Sequence, residues 1–140
     1  MSILYTAEAL STGGGRDGRV ATTSGRVSLD MAVPKELGGS GDGANPEELF
    51  AAGYAACFHS ALQAAARTQK VKITDTSVGS RVHIIPNGEG GFDLAVELEV
   101  VIPSVDAVTA QGLADAAHKI CPYSNATRGN IAVNVSVTDD

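Results

Sequence analysis

Two cysteines, Cys57 and Cys121, are the residues in this sequence best suited to chemistry. A cysteine thiolate is a nucleophile, and two thiols brought together can give up two electrons by forming a disulfide. The three histidines stand at 59, 83 and 118, with no Cys-x-x-Cys and no His-x-x-x-His. Zinc-ligand spacing is therefore missing, and no metal is expected. Gly13-x-Gly15-x-x-Gly18 has the spacing of a dinucleotide fingerprint, but that motif works only where the last glycine opens a helix. A strand-like stretch follows here, so the glycines read as a turn that carries Arg16. His59 reads most simply as a hydrogen-bonded core residue. His118 reads as a polar residue in the last turn of its helix, where a positive charge would suit the dipole. Asn125 and Asn134 head glycosylation sequons, which carry no weight in a cytoplasmic chain.

Taken alone, a cysteine on an apolar helix is most simply a small buried hydrophobe, so the elements around Cys57 decide its role. Asn45-Pro46-Glu47-Glu48 has the signature of a helix start: Asn as N-cap, Pro in the first turn, and Glu three residues after the cap. From Leu49 to Ala66 no residue carries a formal charge, which predicts a helix that is apolar on nearly every face and buried. Cys57 lies about ten residues into it, ~15 Å from the N-terminus, beyond reach of the helix dipole. Burial raises a thiol pKa, so a reactive Cys57 needs a cation. Lowering the pKa by about two to three units takes roughly 3 to 4 kcal/mol. One shielded arginine at ~4 Å supplies that at an effective dielectric near 20. Arg67 is ~15 Å away along the same helix, which leaves Arg16 and Arg128 as candidates.

The rest of the chain supplies strands. Ile3 to Leu10, Arg19 to Thr23, Val27 to Met31, Thr74 to Ile85, Phe92 to Ile102 and Ile131 to Val137 each show alternation or a hairpin pattern. In the fifth, Phe92, Leu94, Val96, Leu98 and Val100 are expected to face inward. Pro34 to Ala44 is a glycine-rich loop. Ser104 is the expected cap of a second helix that runs to about Lys119 and is broken at Cys121-Pro122-Tyr123-Ser124. The order is β-β-β-α-β-β-α-β. Strands gathered in runs predict an α+β fold with mostly antiparallel sheets around a long buried central helix, rather than βαβ units. A length of 140 residues with no linker-like stretch is expected to form one domain, 1–140.

Composition excludes several classes of function. With 10 Lys and Arg against 16 Asp and Glu, the net charge is −6, and no basic cluster exists to hold nucleic acid. The long uncharged helix is dominated by Ala and carries His, Gln, Ser and Gly, which argues against a membrane span. The N-terminal residues Met1 to Tyr5 do not resemble a signal peptide, so a cytoplasmic location is expected, and there two cysteines favour a redox pair over a permanent staple.

The segment Asn45-Pro46-Glu47-Glu48-Leu49-Phe50-Ala51-Ala52-Gly53-Tyr54-Ala55-Ala56-Cys57-Phe58 resembles the first signature of the Ohr/OsmC family of organic hydroperoxide reductases. Cys121 to Asn130 resembles the second, and the Gly-Gly-Arg-Asp-Gly turn at 14 to 18 also matches. The Cys-Pro-Tyr-Ser sequence at 121 to 124 is similar to that of the Ohr branch. The resemblance implies an intertwined α+β homodimer in which Cys57 is the peroxidatic cysteine, Cys121 the resolving one, and Arg16, held by Glu47, assists. It also implies an organic or fatty-acid hydroperoxide as substrate. No cofactor would be bound, and an external dithiol of the lipoyl type, such as a lipoylated protein, would act as reductant. Leu49, Phe50, Tyr54 and Phe58 are the expected substrate-binding residues, an apolar lining suited to a hydrocarbon tail. Because Glu47 and Cys57 lie ~15 Å apart on one helix, each site is expected to draw on both chains across a twofold axis. A thiol-based redox sensor is the main alternative, and a binding domain with structural cysteines a further one.

Overall fold

The computed structural model describes residues 1–139. The chain forms two compact units, Met1–Leu49 and a second that begins at Phe50. No shift in composition marks that boundary, because it falls inside one continuous helix.

The first unit holds a three-stranded antiparallel sheet in the order β1-β2-β3, built from β1 (Ala9–Thr12), β2 (Arg19–Thr22) and β3 (Ser28–Asp30). The strand expected over Ile3 to Leu10 begins only at Ala9, where the chain first meets a ladder partner in β2. Ile3, Leu4 and Tyr5 before it are 83%, 97% and 82% exposed. A short 3₁₀ turn, Gly15–Asp17, joins β1 to β2. Gly13 and Gly15 take φ of 77° and 67° there, a left-handed backbone that suits glycine. At Gly18 a Cβ would stand 2.1 Å from the Thr12 carbonyl oxygen. Strand β2, not a helix, follows Gly18, so the glycine spacing serves the turn.

The long helix α1 (Pro46–Gln69) starts in the first unit and continues through the second. Its expected cap is formed: the Glu48 N–H donates to Asn45 Oδ1 at 2.9 Å, and the Asn45 N–H donates to Glu48 Oε1 at 3.1 Å. This reciprocal pair satisfies donors that a helix end otherwise leaves free. The expectation of burial on nearly every face is corrected. Tyr54, Phe58, Ala61, Leu62, Ala65 and Ala66 are buried, whereas Glu48, Ala52, Ala56 and Ser60 form an exposed stripe at four-residue spacing. The second unit has core elements to cover one stripe of the helix, and the small residues opposite stay open in the single chain.

That core comes from the sheet β4-β5-β6 and from α2. Strands β4 (Ser77–Pro86) and β5 (Phe92–Val101) pair antiparallel, whereas β5 and β6 (Ala132–Thr138) pair parallel. The sheets are thus mostly antiparallel, but the chain does contain one βαβ crossover, which the clustering of strands in sequence did not suggest. Val96, Leu98 and Val100 face inward and are buried. Phe92, expected among them, is 64% exposed, because it lies at the hairpin end of β5 beyond the first core residue, Val96.

Helix α2 (Ala107–Ile120) packs Ala110, Leu113, Ala114 and Ala117 into the same core. Its cap is Asp106, whose Oδ1 accepts the Thr109 N–H at 2.7 Å. Ser104, the expected cap, instead accepts the Thr74 N–H at 3.2 Å. Beyond Cys121 the chain does not simply break, since Pro122 opens a short helix α3 (Pro122–Thr127). Proline lacks the N–H that a first helical position leaves unpaired anyway. Among the described residues, no helix is long and apolar enough to cross a membrane.

Leu98 has no exposed surface, so Leu98→Ala leaves a cavity and is expected to cost roughly 2 to 5 kcal/mol. Urea unfolding is expected to show a lower midpoint at an unchanged slope.

Candidate active site

Cys57 sits in the middle of α1, and Cys121 occupies the joint where α2 ends and α3 begins, at φ −64° and ψ 123°. Their sulfurs are 3.4 Å apart and both thiols are free. Cys121 is fully buried and Cys57 half-buried. A disulfide needs the sulfurs at about 2.05 Å, so bond formation requires an approach of little more than 1 Å.

Burial pushes the Cys57 thiol pKa above its ordinary value, the Tyr123 backbone amide pulls it back, and the neighbouring Cys121 thiol adds to the rise. These forces favour the neutral thiol over the nucleophilic thiolate. Arg128, one of the two cations considered above, is already engaged: it donates to Asn125 Oδ1 at 2.7 Å and to the His118 carbonyl at the end of α2.

Arg16 lies in the glycine turn of the first unit, where the Asp17 carboxylate fastens the turn by accepting the Val33 N–H at 3.0 Å. Its guanidinium makes a two-pronged pair with Glu47, both contacts at 2.8 Å. The hydrogen bond from Arg16 holds the Glu47 carboxyl below its ordinary value, and Glu47 in turn raises Arg16. Parallel N–H···O bonds of this kind fix the guanidinium plane as well as its charge. The first unit therefore presents an oriented cation.

Of the expected substrate-binding residues, Leu49 and Phe50 are partly buried, while Tyr54 and Phe58 are fully enclosed in the core. Phe50 stacks on Tyr123 at 5.9 Å and 16°, and with Tyr123, Ala126 and Thr127 it lines an apolar depression of about 250 Å³. Gly53 makes room for Tyr123: a Cβ at Gly53 would stand 2.9 Å from the Tyr123 hydroxyl.

Beneath this surface runs a buried polar chain that sequence reasoning missed. Tyr54 Oη is 2.8 Å from Ser124 Oγ and 3.2 Å from Thr127 Oγ1, and Ser124 Oγ is 2.8 Å from His118 Nδ1. His118 was expected to carry a positive charge at the end of α2. Burial, aided by Arg128, instead lowers its pKa from 6.5, which keeps the ring neutral at pH 7. Arg128 supplies the cation at that helix end through the His118 carbonyl. The available sequence signal was spacing: Tyr54 is three residues before Cys57, His118 three before Cys121, and Ser124 three after it. His59, expected as a hydrogen-bonded residue, places Nε2 2.7 Å from Thr76 Oγ1. Among the described residues, no group of three or more His, Cys, Asp and Glu side chains could hold a metal.

A paired-thiol site on a helix packed against a mixed sheet defines a class that comparison with known proteins makes specific. The family model described as OsmC-like protein matches residues 39–136, and the chain belongs to that family. Several of its relatives are named organic hydroperoxide resistance proteins. The organic hydroperoxide resistance protein of Xanthomonas axonopodis pv. citri is 49% identical over 139 residues, spanning 96% of this chain and 95% of that one. OhrB of Bacillus subtilis is 40% identical over 135 residues, spanning 96% and 98%. The crystal structure of an organic hydroperoxide resistance protein from Legionella pneumophila superposes with a TM-score of 0.94 at 48% identity, covering 98% of this chain and 99% of that one.

The Glu47 shift has a consequence for stability. Because its folded pKa lies below the ordinary 4.5, the stabilisation is fully present above that value and is lost as pH falls through the folded pKa. Glu47→Gln is expected to cost about 1 kcal/mol at pH 7, a modest sum because the Arg16 side chain is 40% exposed. The difference from wild type should disappear well below pH 4.5, as read by urea unfolding across pH.

Proposed function

We propose that the chain is a two-cysteine peroxidase that reduces organic hydroperoxides to alcohols. The observation that carries the proposal is the 3.4 Å approach of the Cys57 and Cys121 sulfurs, in a chain whose relatives are named for resistance to organic hydroperoxides.

In the first step the Cys57 thiolate attacks the terminal peroxide oxygen. The O–O bond breaks, the alkoxide leaves and takes a proton to become an alcohol, and Cys57 is left as a sulfenic acid. In the second step the Cys121 sulfur attacks the sulfenic sulfur and water departs. An external dithiol of the lipoyl class then exchanges with the Cys57–Cys121 disulfide, restores both thiols and becomes a disulfide itself.

The first step needs a thiolate, and burial opposes it. Arg16, oriented by Glu47, is the cation we assign to Cys57 and to the departing alkoxide. We assign it across a homodimer in which two α1 helices run antiparallel, so that each site combines residues of both chains. Support comes from the open stripe of Ala52, Ala56 and Ser60 on an otherwise core-forming helix, since small residues allow helices to approach closely, and from the distance of ~15 Å along the helix between positions 47 and 57. The apolar depression at Phe50 and Tyr123 suits a hydrocarbon tail.

Peroxide consumption followed with dihydrolipoamide, glutathione and thioredoxin tests the proposal. Cys57→Ser is expected to abolish turnover, while Cys121→Ser reduces about one equivalent of peroxide and stops. No peroxide-dependent turnover with any of the three reductants would reject it. The kcat/KM for cumene hydroperoxide should exceed that for hydrogen peroxide by at least about tenfold, as expected where an apolar pocket discriminates by the bulk it buries; equal values would reject the apolar subsite. Arg16→Ala should raise the Cys57 pKa by about 2 pH units, followed by thiolate absorbance, because a shielded cation contributes roughly that much.

A further inference from the structure

The members of the buried polar chain are defined by distance. Tyr54 Oη lies 2.8 Å from Ser124 Oγ and 3.2 Å from Thr127 Oγ1, Ser124 Oγ also lies 2.8 Å from His118 Nδ1, and Thr127 Oγ1 lies 3.2 Å from the Ser124 carbonyl oxygen. Each hydroxyl can both donate and accept, so every hydroxyl in the chain is satisfied.

Its placement is equally defined. Residues three apart on a helix share a face, so Tyr54 lies one turn before Cys57 on α1. His118 lies one turn before Cys121 on α2, and Ser124 about one turn after it on α3. Tyr54 and Ser124 have no exposed surface, so a bond lost at the centre of the chain leaves a buried polar group to be satisfied away from bulk solvent. The Ser124 hydroxyl thus ties α3 to both α1 and α2, the helices that flank or carry the two sulfurs.

We propose that Ser124, through Tyr54 and His118, is a positioning residue for the resolving step, holding the Cys121 joint so that its sulfur lies within reach of the Cys57 sulfenic acid. This rests on the peroxidase reading above and adds a requirement that reading does not contain. The chemistry served is the condensation of Cys57–SOH with Cys121–SH to a disulfide and water. If the joint relaxes by a few tenths of an ångström, the condensation slows, and the sulfenic acid persists long enough to react elsewhere or to take a second oxygen from peroxide.

The test is a single-turnover reaction of the full chain with one equivalent of cumene hydroperoxide in the presence of dimedone, which traps sulfenic acids. Intact mass spectrometry then reads the ratio of disulfide to trapped adduct. Ser124→Ala is expected to lower that ratio at least tenfold, and Tyr54→Phe, which keeps the ring and removes one bond, to lower it by a smaller factor. Both variants should also become over-oxidised at lower peroxide concentrations than wild type. If Ser124→Ala does not fold, as judged by circular dichroism, Tyr54→Phe carries the test. Folded variants that partition as wild type does would overturn the proposal while leaving the peroxidase reading intact. A wild type that yields neither disulfide nor adduct would overturn both.

Discussion

Two sulfur atoms 3.4 Å apart, one on α1 and the other at the joint between α2 and α3, impose a constraint that much of the second unit serves. Cys57 is placed by α1, whose buried face packs on β5 and α2. Cys121 is placed by the joint between α2 and α3, which the proline at 122 and the Ser124 hydroxyl keep in register. Each sulfur inherits its position from a core of Leu62, Leu98, Leu113 and their neighbours. Aliphatic packing of this kind transmits displacement, because interiors near crystal density have little room to absorb it.

The same burial that fixes the sulfurs works against their reactivity. A thiol enclosed by apolar groups keeps its proton, and the Cys57 pKa rises accordingly. A charge at short range in a shielded place can reverse that preference, and a solvated one cannot. The first unit holds an oriented charge, Arg16, presented by a glycine turn and fixed by the two contacts to Glu47, and this is the cation assigned to Cys57 in the proposed dimer.

Much of this was legible from the residues. The Asn45 cap, the uncharged run to Ala66 and the alternation of β5 each reflect local physics, and each produced the element expected. The errors arose where a partner decides the outcome. Ile3 to Tyr5 alternates like a strand but has no ladder neighbour among the described residues, and Phe92 continues the inward pattern past the end of the core. Ser104 and Asp106 are both cap-forming residue types, but the helix begins at Ala107, which puts Asp106 at the cap position and leaves Ser104 to accept the Thr74 N–H. In the site, the cysteines and the Arg16–Glu47 pair were suggested by motif, whereas the chain from His118 to Thr127 was not. Its members come from three helices, and neutral hydroxyls leave no charge pattern to read. His118 was misjudged for the same reason, since its burial depends on Phe58 and Ser124 rather than on its position at a helix end.

The central claim is that the two sulfurs form one redox unit. Its most direct measurement is the intact mass and thiol count of the chain after one equivalent of an organic hydroperoxide, followed by peptide mapping without reductant. The account predicts a loss of two hydrogen masses, the disappearance of both thiols, and a single cross-linked peptide joining Cys57 to Cys121. An oxygen adduct on Cys57 with Cys121 still a free thiol, or two thiols untouched by the peroxide, would contradict it.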